Sequence, residues 1–126
     1  MKLRIKGNSL RFRISPSEMA RLLDSGRVEE TVRFGEREDA HLTYALELGL
    51  SGQIISIRSH PQHVTVLLSK EAARQWAEGN AVGIAGDLSI GDGRLELLVE
   101  KDFACLDRED GEDADTFPNP KSGAVC

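Results

Sequence analysis

The sequence contains no apolar run approaching the ~18–20 residues of a bilayer-spanning helix, which excludes an α-helical integral membrane protein. Its opening stretch, Met1 to Lys6, alternates apolar side chains with cations and lacks the continuous apolar core of a signal peptide. Cysteine is scarce. Cys105 and Cys126 cannot build a disulfide framework, so a reducing cytoplasm is the expected compartment. Cys126 comes last, where a prenylation signal needs its cysteine fourth from the end. Also missing are a Gly-rich phosphate loop, a Gly-x-Ser-x-Gly elbow and a His-Glu-x-x-His helix. No catalytic residue and no cofactor is expected, and the chain reads as a binding or interaction module rather than an enzyme.

What is present suits one soluble domain: 126 residues, 40% hydrophobic and 29% charged. Of 16 cations and 21 carboxylates, residues 102 to 126 hold two and seven, which accounts for the whole net charge of −5. Residues 1 to 101 therefore balance to zero, and neither nucleic acid nor a membrane surface is an expected partner. Residues 1 to 106 read as a single α+β domain and 107 to 126 as an acidic, largely flexible tail.

The local patterns are specific. Leu3 and Ile5 alternate with cations, as do Leu10, Phe12 and Ile14, and Gly7-Asn8 between them closes a two-residue hairpin. That loop sets Ile5 opposite Leu10 and Leu3 opposite Phe12. Ser15, Pro16 and Glu18 form the N-terminal signature of a helix carrying Met19, Leu22 and Leu23, which Gly26 ends. Strands follow at Val28 to Phe34 and Leu42 to Leu48. The pattern then restarts, with strands at Ile54 to Arg58 and Val64 to Leu68 and a helix from Ser69 to Gly79 holding Trp76. A strand weakened by Gly86 and Asp87 runs from Val82 to Ile90, and Leu95, Leu97 and Val99 alternate last.

Residues 1 to 50 and 53 to 101 thus read as two ββαββ repeats. An offset of 53 aligns Glu18 with Glu71, Arg21 with Arg74, Gly26 with Gly79 and Glu47 with Glu100. It also makes Leu23 the counterpart of Trp76, so both are expected to be buried. Eight half-buried strands with two short helices predict an antiparallel β-barrel or a strongly curved sheet.

The hairpin register places Arg4 opposite Arg11 and Lys2 opposite Arg13, with Lys6 on the same face. Facing like charges need compensation. Glu29, Glu47, Glu96 and Glu100 on neighbouring strands, or the tail, would neutralise them internally. Alternatively, Arg4, Lys6, Arg11 and Arg13 hold an anionic partner, either a protein or a phosphorylated small molecule on which the chain acts as an enzyme or binder, with Glu47 and Glu100 in support. The chain itself is expected to be a monomer or weak homodimer. His60 and His63 flank a turn and His41 stands apart, so solvated loop histidines are expected rather than a metal site. In the acidic run, Gly111 as the sixth residue of a calcium loop would put Leu106 at the first ligand position, and the match fails. Phe103 and Leu106 are expected to dock on the body, with Cys105 as small buried filler.

Two likenesses bear on function. The first strand of triphosphate tunnel enzymes begins Glu-x-Glu-x-Lys; Lys2-Leu3-Arg4-Ile5-Lys6 keeps only the final lysine, so that activity is not carried over. The stretches Met1 to Ile14 (MKLRIKGNSLRFRI) and Lys101 to Pro120 (KDFACLDREDGEDADTFPNP), with Thr43 to Glu47, are similar to a family of short bacterial proteins. That resemblance implies a bacterial cytosolic protein and brings no activity, substrate or cofactor.

Overall fold

Two-residue loops and helix caps fix the local structure of this chain. In the computed structural model, which describes residues 1–49, 51–103 and 115–118, β1 (Lys2–Lys6) and β2 (Ser9–Ile14) form the hairpin in the expected register. Gly7 supplies the positive φ, +54°, that the turn requires. Helix α1 (Pro16–Ser25) opens on a complete capping box: Ser15 accepts from the Glu18 amide, and the Glu18 carboxylate accepts from the Ser15 amide at 2.9 Å. It closes on Gly26, left-handed with φ +84°. Strands β3 (Arg27–Arg33) and β4 (His41–Leu48) form a second hairpin, and β5 (Ile55–His60) and β6 (His63–Leu68) a third. Helix α2 (Lys70–Glu78), capped by Ser69, leads to the last hairpin, β7 (Gly83–Ile90) and β8 (Gly93–Lys101).

The four hairpins assemble into two four-stranded sheets, and among the described residues no closed barrel forms. Sheet I has the order β1-β2-β8-β7 and sheet II the order β3-β4-β6-β5. Both are mixed, because β2 pairs parallel with β8 and β4 parallel with β6. The expectation of an antiparallel barrel is corrected here. Each helix carries the chain from one sheet to the other, so each sheet joins a hairpin of one half to a hairpin of the other, and the joining strands run the same way.

One core lies between these layers. Sheet I contributes Phe12, Ile14, Leu97 and Val99, sheet II contributes Val28, Leu46, Val66 and Leu68, and the helices add Met19, Leu22 and Trp76. Leu23 does not join it: it is 41% exposed whereas Leu22 is fully buried. The helix N-caps Ser15 and Ser69 stand 54 residues apart, so at this level Leu22, not Leu23, is the counterpart of Trp76.

Residues 115–118, from the segment read as a tail, lie against the body. Phe117 forms a parallel bridge with Phe103, donates its amide to the Asp102 carbonyl at 2.8 Å, and meets the Phe103 ring edge-on at 6.2 Å. Both rings are half-buried. The Asp115 carboxylate accepts from the Ser17 hydroxyl, which holds its pKa below the usual range. The expectations for Cys105, Leu106, the acidic run 107–114 and Cys126 lie outside the described residues.

Candidate functional site

Strand alternation alone determines what the outer face of sheet I carries. Reading across from β1 to β7, its three rungs are Lys2–Arg13–Glu100–Gly83, Arg4–Arg11–Leu98–Ala85 and Lys6–Ser9–Glu96–Asp87. The cations therefore occupy the β1–β2 half, while carboxylates and apolar or small residues occupy the β8–β7 half.

Glu100 is the hub of the basic half. Its side chain is only 10% exposed, and its Oε1 atom accepts from both Arg11 and Arg13, the latter through Nε at 2.8 Å. Lys2 Nζ reaches Asp102 Oδ2 at 3.0 Å. Among the described residues, Arg4 and Lys6 make no ion pair. Three of the five cations thus share two carboxylates, so the cations of the β1–β2 half exceed their carboxylate partners by three charges. The hollows follow the same residues: about 240 Å³ lies among Lys2, Leu3, Arg4, Arg11 and Arg13, and about 260 Å³ among Arg4, Lys6, Ser9 and Arg11. A larger groove of about 520 Å³ continues over β8 and β7, and Arg11 lines all three.

The structure thus brings Arg4, Lys6, Arg11, Arg13 and Glu100 together and separates Glu47 from them. Glu47 belongs to sheet II, where it accepts from Arg27 at 2.8 Å and Arg58 at 3.2 Å. Glu29 likewise serves Arg27, at 3.2 Å, rather than the N-terminal hairpin. Partial burial raises the Glu47 pKa, but the hydrogen bonds from the Arg27 and Arg58 guanidiniums outweigh it and hold the carboxyl below its ordinary value. A carboxyl depressed on folding stabilises the fold above its unfolded pKa and loses that contribution as pH falls through the folded value. Glu47→Gln is therefore expected to cost under ~1 kcal/mol near pH 7, with the gap closing below about pH 4, as urea denaturation at the two pH values would measure.

Residues missed by sequence reasoning are Leu98 and Ala85, which line the groove. The signal was there: Leu98 is an apolar residue in phase with Glu96 and Glu100. The histidines also meet differently than expected, since parallel pairing of β4 with β6 brings His41 to His63, rings 5.8 Å apart. Among the described residues, no group of three or more His, Cys, Asp or Glu side chains is placed to hold a metal ion. No helix there is long and apolar enough to cross a membrane.

Fold and face together define a small two-sheet α+β protein with an under-compensated cationic sheet surface. The chain belongs to the family of unknown function DUF7009, whose model matches residues 1–121. The resemblance read from both ends of the sequence, to a family without an assigned activity, is thereby borne out. No curated protein and no solved structure matches the chain.

Proposed function

We propose that this protein is a small, non-enzymatic binding module that holds an anionic ligand on the β1–β2 half of sheet I. The observation that carries this reading is the missing counter-charge at Arg4 and Lys6 beside two arginines already oriented by Glu100. Arg4 lies directly opposite Arg11, a like-charge pair that costs free energy until an anion sits between them. A guanidinium that gives one edge to Glu100 keeps further N–H donors for a second oxyanion.

Inorganic phosphate is the probe, followed by amide chemical shifts on β1 and β2. Shifts are expected at about 20 mM salt and are expected to fade by about 300 mM, because the contacts are largely exposed to screening. Arg4→Ala should weaken binding without changing the fold. Glu100→Gln should act in opposite directions on two readouts, tightening phosphate binding while lowering stability by ~1–2 kcal/mol, since it leaves two partly buried guanidiniums without their shared counter-charge. Phosphate shifts that ignore both Arg4→Ala and salt would overturn the reading.

We also read the chain as a bacterial cytosolic protein and its halves as products of a duplication. The reducing compartment rests on its two cysteines. The duplication is supported by the same strand order in both sheets with the halves exchanged, and by equivalent registers. Phe12 pairs with Val99 in one sheet, as Val66 pairs with Leu46 in the other.

A further inference from the structure

Resting on that reading, we infer that the ligand is an amphiphile with a single anionic head, held by Arg4 and Arg11, and an apolar body lying over Leu98 and Ala85. These four residues form one rung across all four strands, roughly 14 Å at the usual strand spacing. The hollow between Arg4 and Arg11 adjoins the groove of about 520 Å³, the two sharing walls at Ser9 and Arg11. That volume lies within the ~300–1,000 Å³ of small-molecule sites. Leu98 is half-buried on a face that is otherwise charged or small, so the groove floor offers apolar contact directly beside the cation pair.

The far wall limits the charge of the ligand. Asp87 and Glu96 face one another on the next rung; Asp87 is held by Arg94 at 3.1 Å, and Glu96 makes no ion pair among the described residues. A second anionic group reaching past Leu98 would meet these carboxylates. Polyphosphates and nucleic acid strands are disfavoured by that repulsion, whereas an apolar body is not.

The test is an amide-shift titration of the whole chain with hexyl phosphate, hexanoate, inorganic phosphate, tripolyphosphate and hexanol, at concentrations where the amphiphiles stay monomeric. Hexyl phosphate is expected to bind on the order of tenfold or more tightly than inorganic phosphate, through methylene groups removed from water. Hexanol alone is expected to give no shifts, and the tighter of hexyl phosphate and hexanoate identifies the head as phosphate or carboxylate. Leu98→Asn should bring the ratio of hexyl phosphate to phosphate affinity towards one. Ala85→Glu, at an exposed position, serves the same purpose if the first variant does not fold. Equal affinities for hexyl phosphate and phosphate in the wild type would overturn the amphiphile while leaving the anion-binding module standing. Tighter binding of tripolyphosphate than of hexyl phosphate would overturn the single head. Absence of shifts with every anion would overturn the binding module itself.

Discussion

Trp76→Ala is expected to cost ~3–5 kcal/mol, the range for deleting a fully buried aromatic side chain. Trp76 is 1% exposed and is the largest fully buried side chain among the described residues. Helix α2 has nine residues, of which only Ala73 and Trp76 are buried, so the helix is anchored by essentially one side chain. The loss is more than volume. The indole Nε1 donates to the Val82 carbonyl at 3.0 Å, tying the helix to the chain that enters β7, and alanine would remove that tie and leave the carbonyl with the Lys101 amide alone. Lys101 Nζ reaches the Gly79 carbonyl in the same connection at 3.1 Å, so loosening α2 also disturbs the end of β8 beside Glu100. Calorimetry is expected to show a drop in Tm on the order of 10–20 °C. Trp76→Phe, which keeps most of the apolar contact and loses the hydrogen bond, should lie between the two. A drop below about 3 °C for the alanine variant would contradict the burial.

What could be read from the sequence and what could not divide along chain distance. The hairpin at Gly7-Asn8, the capping box at Ser15 and Glu18, the Ser69 cap and the Gly26 and Gly79 stops all rest on residues a few positions apart, and all hold. The parallel pairs β2 with β8 and β4 with β6 rest on no local signal. Ser9 pairs with Glu96 across most of the chain, and nothing in either strand says which way its second neighbour runs. Hence the hairpins were legible, and the exchange of hairpins between sheets was not. Leu23 failed for a different reason. On a helix of ten residues the stripe facing the core is narrow, and Met19 and Leu22 already fill it.

The same division governs the site. The two-residue loop alone put Arg4 opposite Arg11, and the structure keeps that register. Glu47 and Glu100 occupy matching places in the two halves, and sequence reasoning could not tell which would stand beside the hairpin. The exchange decides it: β8 lies next to β2, so Glu100 meets Arg13, while β4 lies between β3 and β6, so Glu47 meets Arg27 on β3 and, across β6, Arg58 on β5. His41 and His63 met for the same reason.

Gly86 shows how the sheets meet, and it carries the second large effect. Gly86 and Asp87 weaken the strand pattern in the sequence, yet β7 runs unbroken from Gly83 to Ile90. The glycine is there for space: a Cβ at this position would lie 2.4 Å from Cγ2 of Ile55, on β5 of the other sheet. Ile55 is 6% exposed and β-branched, so its Cγ2 cannot swing aside without moving the backbone or the core around it. Gly86→Ala is therefore expected to destabilise by ~1–3 kcal/mol through overpacking, against the slight stabilisation that alanine gives an unstrained strand. Ile55→Ala should cost ~2–5 kcal/mol by opening a cavity. Combined, the two changes complement each other, since the new methyl fills space vacated by the old one. The double variant is expected to be more stable than the sum of the single costs implies, by ~1–2 kcal/mol in a denaturation cycle. Strictly additive costs would mean that β7 and β5 do not touch here, and that the two sheets close over the core in some other way.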